Sequence, residues 1–346
     1  MPATLTHRID RWTRLVLNDR PPRGLVLVRF PDPAWPRPWP WPDNVPQRIA
    51  WAQATYERKL EQMQWLDDDA LPYLDPFTST EIFAEAFGCP VHYPENDMPS
   101  ARPLIACADE LSRVRTPSLD HPALARVFQI ADELRRRNPG ALMRLPDIQS
   151  PMDIAALIWD KNDFYAALIE NPRAIADLAG RVHDLLVAFV DEWFKRYGRA
   201  FIAHYPDYYM PFGLTLSEDE VGVISQEMFD ELFLPELSEL SRRYGALGMH
   251  CCANSRHQWA SFARIPGLKV LNLIRPKNQM LEAYGVFAGH CVQFHGSTDV
   301  VPALPELVAA IGPDARVVLE ATAHSRDEAI SLQDQLSRAL VTISGK

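Results

Sequence analysis

From residue 195 onward, short apolar segments alternate with amphipathic ones at near-regular intervals, and this rhythm restricts the fold more than any other feature of the chain. Residues 201–204, 247–252, 269–274, 290–295 and 316–320 read as buried strands. Helical patterning falls between and after them, over 226–244, 255–264, 277–288, 302–311 and 326–343. Strand, helix, strand in succession is the βα unit, whose strands lie parallel and are joined by crossover helices. Earlier strand-like segments at 25–30, 70–74 and 141–145 bring the number to eight, with helices over 48–63, 122–137 and 171–197. Pro172 stands at a favoured early helix position, Gly198 follows the end of that helix, and Ser225 is a candidate N-cap. Eight such units in 346 residues predict an α/β fold of the (β/α)8 TIM-type barrel class, as one domain over 1–346. A doubly wound open sheet is the alternative, but no Gly-rich nucleotide fingerprint follows any strand.

One segment breaks the rhythm. Between residues 31 and 46 stand Pro31, Pro33, Pro36, Pro38, Pro40, Pro42 and Pro46, interleaved with Trp35, Trp39 and Trp41. Proline lacks a backbone N–H, so this stretch is neither a helix interior nor a central strand. It reads as an ordered loop over the body of the protein, with a Trp-lined lid as the functional alternative. A net charge of −10 argues against nucleic acid as the main partner. The first twenty residues mix charged and apolar side chains without a continuous apolar core, so neither a signal peptide nor a membrane span is expected there. Five cysteines, an odd number in a chain this long, suit reduced thiols in the cytoplasm.

In a barrel of this class the chemistry sits at the C-terminal strand ends. His250 and Cys252 end the 247–252 strand, and their i, i+2 spacing points both side chains one way, with Cys251 facing the helix layer. A histidine and a cysteine converging on one point form half of a soft-metal site, with Zn2+ as its commonest occupant. A metal-free buried pair is the alternative. Completing ligands would come from Glu320, His324, His295 or Asp219. Asp75 and Asp147 follow their strands and also point toward the bowl. Cys291 begins its strand, roughly 13 Å down from His295 at about 3.3 Å per residue. It, Cys89 and Cys107 read as small buried hydrophobes.

The segment from Ser217-Glu218-Asp219-Glu220 through Ile224-Ser225-Gln226-Glu227-Met228-Phe229 to Pro235, followed by His250-Cys251-Cys252-Ala253-Asn254, resembles the uroporphyrinogen decarboxylase superfamily. Its members show an acidic pair, then ISPEMF, a helix ending near LP, and a strand reading HxCGN. Gln293-Phe294-His295-Gly296-Ser297-Thr298-Asp299 is similar to the superfamily's QGNxDP segment. Phe164 through Glu170-Asn171-Pro172 and the Phe87-Gly88 region fit as well. The resemblance runs from about residue 45 to the end, is strongest over 217–300, and implies the same barrel.

Two branches follow from the resemblance. True uroporphyrinogen decarboxylases carry MRQAGR after the first strand; here that place reads Val28-Arg29-Phe30-Pro31-Asp32-Pro33. Zinc methyltransferases moving a methyl group between a corrinoid protein and a thiol or folate-type acceptor carry HxC and a later Cys. Here the later stretch is Leu319-Glu320-Ala321-Thr322-Ala323-His324-Ser325, so Glu320 or His324 would substitute. The leading expectation is such a methyltransferase, cytoplasmic, with Zn2+ on His250, Cys252 and Glu320 or His324, and Asp219 near the site. A corrinoid on a partner protein would be the methyl donor, the loop part of its docking rim, and a homodimer the assembly that some members show. The alternative is a metal-free decarboxylase of a tetrapyrrole or another polycarboxylate. There Arg29, Arg37 and Arg144, with His295, would hold substrate, and Asp75, Asp147 or Asp219 would serve proton transfer. A third reading is a non-catalytic barrel binding a corrinoid or tetrapyrrole.

Overall fold

Leu25, Val26, Leu27 and Val28 offer no polar face, and they form a strand buried on both sides, as parallel barrel strands are. The structure, a computed structural model, describes residues 3–18, 23–296, 300–312 and 314–345. Its barrel is built from β1 (Gly24–Arg29), β2 (Tyr73–Leu74), β3 (Leu142–Met143), β4 (Phe201–Ile202), β5 (Tyr209–Met210), β6 (Leu214–Ser217), β7 (Leu247–Cys251), β8 (Leu268–Leu273), β9 (Val292–Gln293) and β10 (Arg316–Thr322). Six of these form one parallel sheet in the order β1-β10-β9-β8-β7-β6. A parallel β2–β3 pair extends the ring, joined to it by single bridges, Gln149 to Ser217 and Arg144 to Ile202. The expected (β/α)8 architecture is present.

The seam between β1 and β2 is closed by side chains. The Val26 and Val28 N–H groups donate to Asp69 Oδ2 at 2.9 Å and Asp68 Oδ2 at 3.0 Å, and the Asp69 N–H donates to the Val26 carbonyl at 2.8 Å. Asp68 is held in turn by Arg8 of α1 (Leu5–Leu17), a helix absent from the sequence expectations, at 2.8 Å with both side chains almost fully buried.

The fourth ring position differs from its expected form. Residues 201–204 give only the two-residue β4, which turns back antiparallel onto β5. The strand laddered to β7 is β6, which sequence reading passes over because Thr215 and Ser217 interrupt its apolar character. All four of its residues are nevertheless buried.

Helices form the outer layer. In α4 (Pro172–Tyr197) the buried Ile175, Leu178, Ala179, Val182, Leu185, Leu186, Phe189, Val190 and Trp193 recur three and four apart and make one apolar stripe. Asn171 precedes Pro172, and Gly198, at φ 93°, ends the helix as expected. Ser225 caps the helix expected over 226–244 by accepting the Met228 N–H at 3.2 Å. That helix changes register: Phe229–Phe233 is a π turn before the α-helix Leu234–Tyr244, because Pro235 has no N–H to place in a regular ladder. No helix among the described residues is long and apolar enough to cross a membrane.

Candidate functional site

At the C-terminal end of β7, His250, Cys252 and Asp219 bring one ligand atom each to within 4.8 Å of one another. The i, i+2 alternation turns His250 and Cys252 to the same side, and Cys251 is fully buried. Asn272, the register partner of His250 on β8, accepts from His250 Nδ1 at 2.6 Å. Its amide nitrogen donates to the carbonyls of Phe294 and Gly296, so its oxygen must be the atom facing the imidazole. This places the proton on Nδ1 and leaves the Nε2 lone pair free. Burial pushes the His250 pKa down against the opposing pull of Asp219 and Asn272, which favours the neutral, ligating form.

Asp219 sits on the loop after β6, which is pinned from behind. Its own N–H and that of Glu220 donate to the Asp153 carboxylate at 2.9 to 3.0 Å. Asp153 lies in the first turn of α3 (Pro151–Ile158), whose N-cap is Ser150. Glu218 is fully buried against Asp153, and burial pushes both carboxyls upward. In front, Asp219 Oδ1 accepts the Cys252 N–H at 2.5 Å. Burial, then the Asp219 charge and hydrogen bond, push the Cys252 thiol up to about 12.

Two of the donors, Asp219 and His250, line a cavity of about 250 Å³ together with Asp147, His204 and Ser217, and Cys252, within 4.8 Å of both, is exposed. His204 Nε2 lies 3.2 Å from Asp147 Oδ1 and 3.1 Å from Ser217 Oγ. Burial raises Asp147 to about 7, with Arg144 opposing and Asp219 adding, and burial holds His204 well below its usual value. A second cavity of about 590 Å³ adjoins the first, sharing Arg37, Asp75, Arg144 and Tyr205 with it. Phe30 lines it together with Pro31, Trp35 and Pro36 of the Pro/Trp segment, so that loop walls a cavity.

The expected residues divide clearly. Asp75 and Asp147 line the smaller cavity, but Asp75 is bound to Arg144 at 2.6 Å. Arg144 also holds Asp207 at 3.1 Å, and Arg29 holds Glu320 at 2.8 Å and Asp207 at 3.3 Å. Arg29 and Arg144, the expected substrate holders, thus both line the larger cavity with protein carboxylates as partners. Glu320 is likewise outside the donor group, because Arg29 holds it in the larger cavity. His324 is exposed, and its N–H donates to Glu328 at 2.7 Å at the start of α5 (Arg326–Ser344), so it too stands apart from His250. Asp219 takes the place expected for these two. His295 lines neither cavity: Nδ1 accepts the Leu273 N–H at 3.2 Å, Nε2 meets Gln293 Oε1 at 2.9 Å, and burial pushes its pKa down to about 3. Cys291 is buried beside Arg316 at the opposite strand ends, as its position in the sequence implies. Ser297, Thr298 and Asp299 of the expected motif lie outside the described residues.

Sequence reading missed Asn272, Asp153, His204, Asp207 and Lys59. The polar Asn272 inside the apolar Val270-Leu271-Asn272-Leu273 run was the one legible signal. The others become neighbours only through the barrel.

Comparison with known proteins bears on the fold and the family. No curated protein matches the chain. Among solved structures, a methyltransferase from Methanosarcina mazei superposes with a TM-score of 0.68 over 98% of both chains at 12% identity, a likeness of fold. The family model described as uroporphyrinogen decarboxylase (URO-D) matches residues 74–293, the span that carries β2 through β9 and all three donors. The chain belongs to the uroporphyrinogen decarboxylase (URO-D) family.

Proposed function

We propose that this chain is a cytoplasmic zinc-dependent methyltransferase that moves a methyl group from a corrinoid, carried by a partner protein, to a thiol or folate-type acceptor. The observation that carries the reading is the Asp219, His250 and Cys252 donor group at the C-terminal strand ends, two of whose members line a cavity. One nitrogen, one sulfur and one oxygen from protein, with space in front, match catalytic rather than structural zinc sites. The fixed imidazole tautomer and the Asn272 contact behind it are the outer support such ligands require. The five free cysteines suit a reducing compartment.

A bound Zn2+ would lower the pKa of an acceptor thiol and so supply a thiolate at neutral pH. The protein's own part is to orient and to move the proton. Asp153 and the Cys252 N–H fix Asp219 from two sides. Asp147, with a pKa near 7 and His204 beside it, faces the same cavity and can take up the proton that the acceptor S–H loses as its sulfur gains the methyl group. The Methanosarcina mazei neighbour, a methyltransferase by name, supports this reading over decarboxylation. So does the pairing of Arg29 and Arg144 with protein carboxylates, which leaves too few cations for a polycarboxylate.

Metal analysis of protein purified without chelator tests the proposal. About one zinc per chain is expected, lost in both His250→Ala and Cys252→Ser, together with methyl transfer from methylcobalamin to a thiol. Less than about 0.2 metal per chain, with both variants behaving as the parent, would overturn it.

A further inference from the structure

The larger cavity carries positive charge that the protein does not neutralise. Its carboxylates are each held by an arginine: Asp68 by Arg8, Asp32 by Arg58, Glu320 by Arg29, Asp75 by Arg144, and Asp207 by Arg29 and Arg144 together. Two lining cations remain. Lys59, half-buried on α2 (Val45–Trp65), places its ammonium 4.5 Å from the centre of the Tyr73 ring. Arg37, on the Pro/Trp loop, lies 3.6 Å over the Phe77 ring. No carboxylate among the described residues is within ion-pair reach of either.

A half-buried ammonium with no carboxylate in ion-pair reach is costly to desolvate. Burial lowers the pKa of Lys59, with Asp207 opposing and Arg29 adding. That cost falls when an anion enters, and Arg37 adds a second, exposed cation to the same cavity. The surplus is local, because the chain as a whole carries −10. Trp35, Trp51 and Phe30 add flat apolar wall, with Tyr73 against Lys59. A volume of about 590 Å³ suits a small organic molecule.

We propose that this cavity is a binding site for a small organic anion with a ring-sized apolar body, its acidic group against Lys59 and Arg37 and its body between Trp35 and Trp51. None of these residues belongs to the Asp219, His250 and Cys252 group, so the site stands whether or not the protein binds zinc. Because the two cavities meet at Arg37 and Tyr205, a molecule seated here lies beside the donor group.

Naphthalene-2-sulfonate and its neutral isostere naphthalene-2-sulfonamide, titrated calorimetrically into the full chain after chelator treatment, test the site without requiring metal or turnover. Saturable one-to-one binding of the sulfonate is expected, at least about tenfold tighter than the sulfonamide and weakened by salt. Lys59→Met lowers sulfonate affinity by about tenfold or more and leaves sulfonamide affinity within about twofold, while Lys59→Arg retains most of the binding. Equal affinity of the parent for the two probes, or no saturable binding of the sulfonate, overturns the proposal. If Lys59→Met fails to fold, the ratio between probes on the parent and on Arg37→Gln decides. A ratio that does not fall in Arg37→Gln counts against the role of that residue and the placement of the anion.

Discussion

Asp219 and Cys252 are joined by a hydrogen bond from the Cys252 backbone N–H to Asp219 Oδ1 at 2.5 Å, so the backbone of one donor fixes the carboxylate of another. The link requires the loop after β6 to lie flat against the end of β7. Gly222 permits this, since a Cβ there would stand 2.9 Å from Ala253 Cβ and 3.3 Å from the Asn254 nitrogen. Gly222→Ala should therefore part the two segments. The overpacking is expected to cost about 1–3 kcal/mol in stability. Zinc affinity, read by competition with a chromogenic chelator, should fall by about tenfold or more. Unchanged affinity would show that the close approach is not what holds the donors together.

Asn272 lines neither of the two cavities, yet it sets which imidazole nitrogen is free. Asn272→Leu should keep the barrel and lower zinc affinity by about 10- to 100-fold, the usual cost of removing an outer partner of a metal ligand. Asn272→Asp keeps the acceptor facing Nδ1 but sets an oxygen against the Phe294 and Gly296 carbonyls, so it should recover part of the affinity at a cost in stability. A purely structural role would give equal loss in both, which parallel chelator titrations and melting curves distinguish.

The βα rhythm and the strand-end rule located the barrel and two of the three donors, because both depend on local periodicity and on position within a strand. His250 and Cys252 share a face through simple alternation. Asp219 enters the sequence reading only as one of four candidate completing ligands, because its place depends on pairing between β6 and β7, and β6 is marked by Thr215 and Ser217 rather than by an apolar run. Glu320 and His324 were attractive from chain position alone. What removes them is the ion pair with Arg29 in one case and an exposed place outside the donor group in the other. A partnership such as Arg29 with Glu320 joins segments hundreds of residues apart, and no local pattern records it.

Asp147 gives a pH signature. Its pKa rises from the ordinary aspartate value to about 7 chiefly through burial, so the folded state binds a proton that the unfolded state has already released. Its effect on stability is therefore unfavourable and grows as pH rises from about 4 to about 7, then levels off. Asp147→Asn, which mimics the neutral acid, should flatten the decline over that window and stabilise chelator-treated protein at pH 8 by on the order of 2 kcal/mol. Denaturant melts at several pH values read this directly. If Asp147 also accepts the substrate proton, the same variant slows methyl transfer while leaving bound zinc unchanged.

The Pro/Trp segment is anchored at few points. Asp32 pairs with Arg58, Arg37 lies 3.6 Å over the Phe77 ring, and Asn44 reaches the Trp39 carbonyl at 3.2 Å. Replacing residues 31–41 with a short Gly/Ser linker should lower the melting temperature by only about a few degrees. Transfer from a protein-bound corrinoid should fall more than transfer from free methylcobalamin. Equal rates with the protein-bound donor before and after truncation would remove the loop from partner docking.

The β1–β2 seam makes an unusual demand on a buried ion pair. Arg8 reaches Asp68 and the Ala70 carbonyl at 2.8 Å and the Leu66 carbonyl at 2.5 Å, while the other Asp68 oxygen accepts the Val28 N–H. Arg8→Met leaves a buried carboxylate without its counter-charge and should cost about 3–5 kcal/mol. Where a buried pair serves only itself, replacing both partners by apolar residues is often neutral. Here the double variant Arg8→Met with Asp68→Leu orphans the Val28 N–H and opens the ring between its first two strands. It should be no more stable than Arg8→Met alone, since an unpaired buried donor costs a further 1–3 kcal/mol or so. Asp68→Asn with Arg8→Met keeps an acceptor for Val28 and should recover part of the loss. Denaturant unfolding of the three variants gives the order, and full recovery in the leucine double variant would mean that the seam does not depend on the Asp68 carboxylate.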